Sequence, residues 1–299
     1  MKKIVSSLLC TSFLLLAGEH LQPKPLEKVV NTEDIKDSKA KKSIAEWVSE
    51  TFGLKPYRPN YLLPLSYTSH NYDVYTPTDG EYSNFEAEFQ ISFKVAFGEN
   101  LLGFNEVYYG TYTQHSFWQL YIDSAPFRET NYNPEFFVVI PWGDKEYFGV
   151  KSFEFGYTHT SNGQGNIDET DNAQKYPEIK NRSRSINKLY AKVITQHDAF
   201  ILKAQLWYPI GNLDDNEDIM DYIGYGQIDM MYFYKKHLFT FMGRASIAHQ
   251  KGAFEITYSR PGKLKGVYFF AKIFSGYGES LIDYNTRLTK YAVGFSFSR

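Results

Sequence analysis

The sequence predicts an all-β protein, a 12-stranded antiparallel transmembrane β-barrel, and three observations carry the prediction. Composition is the first: 25 Tyr and 24 Phe stand in a chain of which 22% is charged, whereas soluble cores draw on Leu, Ile and Val. Aromatic girdles and a lipid-facing apolar band, balanced by a polar interior, produce that mixture. The second is a period of two that runs through segments long enough to cross a membrane as strands. The third is a difference between the two sets of connections, long at one end and short at the other.

Taken in chain order, residues 1–20 read as a secretory signal peptide. Lys2 and Lys3 precede an apolar run from Ile4 to Ala17, and Ala17-Gly18 supplies small residues for cleavage. The sole cysteine, Cys10, lies inside that run, so the mature chain has neither a disulfide framework nor a thiol nucleophile. Residues 21–59 are charged and interrupted by proline, and form a periplasmic N-terminal segment in which "SIAEWVSETFG" has the pattern of a short amphipathic helix. Residues 60–299 are the transmembrane barrel and catalytic domain. No later stretch approaches the length of a membrane-spanning helix, so any crossing is made by strands. A formal net charge of −2 gives no electrostatic case for nucleic acid.

The strands are expected at 60–71, 84–97, 103–121, 132–141, 149–162, 185–196, 199–212, 221–233, 237–248, 252–260, 265–277 and 288–298. In "NFEAEFQISFKVAF", Phe85, Ala87, Phe89, Ile91, Phe93, Val95 and Phe97 fall on one face and Glu86, Glu88, Gln90, Ser92 and Lys94 on the other. The last strand puts Tyr291, Val293, Phe295 and Phe297 in one row. With both termini periplasmic, the outer loops are 72–83, 122–131, 163–184, 213–220, 249–251 and 278–287, and all but 249–251 are long. A soluble β-sandwich or lipocalin-like barrel also alternates. Strand length, aromatic content, the secretion signal and loop asymmetry together favour the membrane barrel.

The chemistry is expected where one aromatic row ends. Phe153, Phe155, Tyr157, His159 and Ser161 share a face, while Glu154, Gly156, Thr158 and Thr160 face the lumen. Polar side chains are costly on a lipid-facing row, so a histidine and serine there suggest function. On the next strand Ser183, Ser185, Asn187, Leu189, Ala191 and Val193 share a face, and antiparallel pairing brings Asn187 near His159 and Ser161. A serine needs a base to take its proton, histidine serves near neutral pH, and a third group must hold the ring. No G-x-S-x-G elbow occurs.

At these residues the chain resembles the outer membrane phospholipase A family of Gram-negative bacteria. The resemblance is carried by "GYTHTSNG" (156–163), "SRSINKLY" (183–190), "SAPFRETNY" (124–132), "GNLDDNEDI" (211–219) and "SGYGESLIDYN" (275–285), in register from about Pro56 to the C-terminus. It implies a twelve-stranded barrel that hydrolyses acyl esters of glycerophospholipids and depends on calcium (Ca2+) and on forming a homodimer. Ser161 then matches the nucleophile, His159 the base, Asn187 the residue that orients it, and Gly163 a backbone oxyanion donor. Ser183 and Gln164 (by its carbonyl) match calcium ligands, and Ser124 the ligand given by the partner subunit. The loop from Gly163 to Ser183 is enlarged, with Asn166 where the family has an acid, so Asp168 is the expected acidic ligand; Glu169 and Asp171 are alternatives. Gln114 and Glu129 match positions expected to be interior and structural. His115, His197, His237 and His249 show no partner pattern and are expected at the surface or in the lumen. The competing function is a non-catalytic pore or adhesin scaffold.

Overall fold

Alternating side chains on long segments have one stable arrangement in lipid, a sheet closed on itself so that no backbone edge meets hydrocarbon. A computed structural model describes residues 35–48, 54–70, 72, 82–142, 149–164 and 182–299. The strands are β1 (Lys55–Pro56), β2 (Tyr61–Thr68), β3 (Phe85–Glu99), β4 (Val107–Trp118), β5 (Phe127–Pro141), β6 (Val150–Ser161), β7 (Ser185–His197), β8 (Phe200–Ile210), β9 (Gly226–Tyr234), β10 (His237–Ser246), β11 (Lys251–Pro261), β12 (Tyr268–Gly276) and β13 (Leu288–Ser296). From β2 to β13 each strand pairs antiparallel with its sequence neighbours, and β13 returns to β2. The result is the expected closed 12-stranded barrel. The two-residue β1 pairs with β3 at Lys55↔Lys94, beyond the point where β2 leaves it.

Strand parity follows the sequence. Phe85, Ile91, Val95 and Phe97 are exposed on the outer face, with Glu86, Glu88, Ser92 and Lys94 buried inside. Tyr291, Val293, Phe295 and Phe297 form the expected outward row. Two expectations are corrected. The strand drawn from residue 221 begins at Gly226, because Ile219–Ile223 is a helical turn (α2) stopped by Gly224 at φ +66°. Gln114 is not interior: Thr113 and His115 line the lumen, so Gln114 points outward, between the Tyr112 hydroxyl (3.1 Å) and Ser116 Oγ (3.2 Å). Glu129 is interior, as expected.

A packed cluster stands at each end of the barrel. At the end where β2 starts and β13 finishes, helix α1 (Ser38–Val48) begins under Asp37, whose Oδ1 accepts the N–H groups of Lys39 (2.8 Å) and Ala40 (3.3 Å). Ile35, Ala40 and Ile44 pack on Ala199, Ile201, Met231, Phe233 and Leu238. The expected helix thus starts at Ser38, before "SIAEWVSETFG", and its buried face docks on the barrel; residues 49–53 of that stretch lie outside the described residues. At the other end Ile219, Met220 and Ile223 of α2 and Leu281 and Tyr284 of the β12–β13 loop pack on Ile186, Tyr190 and Trp207. The Tyr284 hydroxyl donates to Asp218, and burial together with that bond pushes it above the usual phenol range. Between the two clusters lies a chamber of about 500 Å³ lined by charged and apolar side chains together, among them Glu135, Lys192, Arg244 and Phe270. No helix among the described residues is long and apolar enough to cross a membrane.

A charged network ties the second cluster to the wall. The β4–β5 ladder skips Arg128, pairing Phe117 with Glu129 and Trp118 with Phe127, so the bulge turns two consecutive residues inward. Arg128 donates to Glu86 through Nε (3.0 Å) and Nη2 (3.1 Å) and to Asp283 through Nη1 (2.6 Å). Glu129 accepts the Ile282 N–H (3.0 Å). His115 is lumenal, 2.7 Å from Glu88, His237 lies 2.8 Å from the Tyr258 hydroxyl, and His249 pairs with Asp221 at 3.1 Å.

Candidate active site

The site is built where β5, β6 and β7 run side by side. The β6–β7 register sets His159 opposite Asn187 and Ser161 opposite Ser185, and Tyr132 of β5 faces Ser161 on the other side. His159 Nδ1 is 2.8 Å from Asn187 Oδ1. A carboxamide oxygen only accepts, so Nδ1 carries the proton and Nε2 is left as the basic nitrogen. Ser161 stands two residues further along the same outward face. The same Asn187 oxygen also accepts the Tyr157 hydroxyl at 2.7 Å.

A proline steadies this stretch indirectly. Between Tyr132↔Ser161 and Glu135↔Thr158 the β5–β6 ladder lapses, because Pro134, opposite His159, has no N–H to give. Asn133 supplies the missing donor: its Nδ2 reaches the His159 carbonyl (2.7 Å), and also Thr158 Oγ1 (2.6 Å) and Thr160 Oγ1 (3.0 Å). The backbone of the histidine is thereby held from the lumen while its ring faces out.

Beyond Ser161 the chain turns through Asn162 and Gly163. Asn162 is buried and clasps both ends of the enlarged loop: its N–H meets the Arg184 carbonyl (3.1 Å), its Nδ2 the Arg182 carbonyl (2.9 Å), and its Oδ1 accepts the Arg184 N–H (3.1 Å). Gly163 has φ +62°, and a Cβ there would meet the Tyr132 ring at 2.9 Å, so both conformation and space demand glycine. Gln164 follows, its N–H on Asn162 Oδ1 (3.3 Å) and its Oε1 on the Arg182 guanidinium. The Asn162–Arg182/Arg184 bonds bring the Gly163–Gln164 end of the loop beside Ser183. Asp168, the expected acidic ligand, lies outside the described residues, as do Glu169 and Asp171. Ser124 is exposed in the β4–β5 turn at the same end of the barrel, with φ +61°. Among the described residues no group of three or more His, Cys, Asp or Glu forms a metal site. The donors in hand are hydroxyl and carbonyl oxygens, which suit calcium and not a softer ion.

Sequence reasoning missed Tyr157, Asn162 and Asn133 as supports. Tyr157 had a readable signal, since it is the member of the outward row before His159. Asn133 had another, as the residue next to a proline inside a strand.

A closed barrel that presents a histidine, serine and asparagine together on its outer wall points to an integral membrane protein that works on the lipid around it. Known proteins make the class specific. The Phospholipase A1 family matches residues 38–297. Phospholipase A1 of Salmonella typhimurium is 32% identical over 301 residues, 98% of each chain, and that of Escherichia coli 32% over 288 residues, 94% of each. The outer membrane phospholipase of Salmonella typhi, solved as a dimer with bound calcium, superposes with a TM-score of 0.74 at 33% identity, covering 85% of this chain and 96% of that one. Outer membrane phospholipase A from Escherichia coli gives 0.72 at 35% identity, covering 82% and 98%. The chain belongs to the phospholipase A1 family and is an outer-membrane β-barrel phospholipase.

Proposed function

We propose that the protein is a calcium-dependent phospholipase that cleaves sn-1 and sn-2 acyl esters of glycerophospholipids, and of lysophospholipids, through Ser161, His159 and Asn187. The observation that carries this reading is the 2.8 Å contact of His159 Nδ1 with Asn187 Oδ1, on the outer face that Ser161 shares. His159 Nε2 takes the Ser161 proton as Oγ attacks the ester carbonyl carbon. The Gly163 N–H donates to the oxyanion of the tetrahedral intermediate, where negative charge develops. The protonated ring then gives its proton to the departing glycerol oxygen, leaving an acyl-Ser161 ester. Water attacks that ester with His159 again as base, releasing the fatty acid. Asn187 orients the ring but adds no negative charge to the imidazolium.

Ser183 and the Gln164 carbonyl, with Asp168 and Ser124 of a second copy, are the residues that would hold calcium. A bound calcium ion supplies electrostatic stabilisation of the oxyanion. Homodimerisation is supported by the outward polar pair of Tyr112 and Gln114, which costs free energy against lipid and gains from a second copy. Gln114 lies opposite Tyr132, which in turn lies opposite Ser161. We further read residues 1–20 as a signal peptide, 21–59 as the periplasmic N-terminal segment and 60–299 as the catalytic barrel. The long loops at the site's end then face the cell exterior.

Purified protein in detergent should release fatty acid from phospholipid with calcium, and stop with a chelator. Ser161→Ala should be inactive while retaining the folded barrel; residual activity near wild type would sink the nucleophile assignment.

A further inference from the structure

The Asn187 carboxamide has two faces of similar size and opposite chemistry. With Oδ1 toward His159 it accepts the Nδ1 proton and leaves Nε2 basic. Turned over, its NH₂ group would donate to Nδ1, move the ring proton to Nε2, and leave the ring unable to accept from Ser161. One histidine contact cannot choose between these, because the ring changes tautomer to suit either. A second contact is needed, and the outward row supplies one.

Tyr157 is diagonal to Asn187 across the β6–β7 pair, with Leu189 as its direct opposite. Its hydroxyl reaches Asn187 Oδ1 at 2.7 Å, so both lone pairs of that oxygen are occupied, the other by His159 Nδ1 at 2.8 Å. The NH₂ group is turned away toward the end of β8, where a Cβ on Gly211 would come to 3.6 Å from it. A phenol donates more readily than it accepts, which favours the oxygen on the Tyr157 side and therefore on the His159 side.

We propose that Tyr157 is a positioning residue for hydrolysis: it fixes the orientation of the Asn187 carboxamide and through it the tautomer of His159. This rests on the Ser161–His159–Asn187 reading above. Tyr157 touches no reacting atom, and its effect passes entirely through Asn187. It also lies on the lipid-facing row, where phenylalanine is well tolerated, so the hydroxyl can be removed without unfolding the barrel.

The test is a two-residue cycle of Tyr157→Phe and Asn187→Ala. Activity is read as calcium-dependent kcat and KM on mixed micelles, and as the rate at which a long-chain fluorophosphonate labels Ser161. The label remains readable over hours in slow variants. Loss of one neutral hydrogen bond should lower kcat and the labelling rate roughly fivefold, with KM unchanged. In the Asn187→Ala background the same change should have no further effect, within about twofold, because nothing remains for the hydroxyl to orient. Two results overturn the proposal: Tyr157→Phe indistinguishable from wild type, or an equal loss in both backgrounds, which marks Tyr157 as acting through packing or lipid contact. Ser161→Ala is run alongside. If it keeps activity and labelling, the catalytic reading itself fails; if it loses both while Tyr157→Phe is normal, only the present inference fails.

Discussion

Replacing Arg128 by methionine removes a charge that three structural parts share. The guanidinium is fully buried, donates twice to Glu86 on β3 and once to Asp283 in the β12–β13 loop, and stacks on the rings of Tyr72 (3.8 Å) and Phe117 (4.7 Å). Methionine keeps most of the volume and loses the charge. Stripping one partner from a buried ion pair costs about 3–5 kcal/mol, mainly through the charge left uncompensated. The two carboxylates fare differently. Glu86 keeps Lys290 at 2.6 Å and the Gln119 amide at 3.1 Å, whereas among the described residues the Asp283 carboxylate keeps only the Ser280 hydroxyl at 3.1 Å, with no partner there for its Oδ1. The loss should therefore fall near the lower end, about 3 kcal/mol, and be concentrated on Asp283. Guanidinium unfolding of the barrel in detergent, followed by tryptophan fluorescence, reads it as a lower midpoint at unchanged slope. Arg128→Met/Asp283→Asn should recover about half the loss, because the asparagine carries no charge to strand. A single-variant loss below about 1 kcal/mol, or no recovery in the double variant, would refute the reasoning.

Four further outcomes follow from the site and from the packing at the barrel ends. Gly163→Ala must hold a side chain at positive φ against the Tyr132 ring, so it should cost about 1–2 kcal/mol locally and lower kcat, while barrel stability seen by denaturation barely moves. Asn133→Leu leaves the His159 carbonyl without its donor; the expected loss is about 1–3 kcal/mol in unfolding free energy, together with reduced fluorophosphonate labelling of Ser161. Asn162→Ala opens the clasp on both ends of the 163–181 loop, so half-maximal activity should need more calcium, measured by titration from chelated enzyme, with maximal activity at saturating calcium largely retained. Ile44→Ala should detach α1 alone: amide exchange across residues 38–48 rises steeply, and exchange in β8 and β9 stays slow.

Strands were legible wherever the two faces differ in polarity. β3 alternates apolar and polar residues from Phe85 to Val95, and its orientation follows from that alone. β4 offers no such contrast: Tyr108, Tyr112, Gln114 and Ser116 on one face look much like Tyr109, Thr111, Thr113 and His115 on the other. Nothing in the pattern of β4 therefore corrects the interior placement that the resemblance implied for Gln114. At α2, Ile219, Met220 and Ile223 already show helical spacing, but a strand pattern begins immediately after Gly224 and hides it. The pairing of His159 with Asn187 was legible because a single hairpin sets it. The contacts of Glu86 with Lys290 and of Arg128 with Asp283 were not, since they span 204 and 155 residues and exist only once the barrel closes. Pro134 was visible as a break in a ladder, but which side chain fills the break depends on register.

If Ser161, His159 and Asn187 act as proposed above, their outward placement changes the kind of encounter that limits turnover. A substrate reaches this wall by lateral diffusion within a sheet made of the substrate itself, so abundance in bulk water is irrelevant. What matters is the fraction of acyl chains presenting an ester carbonyl at the right depth in the leaflet that touches β6. Soluble inhibitors face the converse problem: their effective concentration at the serine is their partition coefficient multiplied by their aqueous concentration. Potency across a homologous series should then rise with each added methylene until chain length exceeds the leaflet.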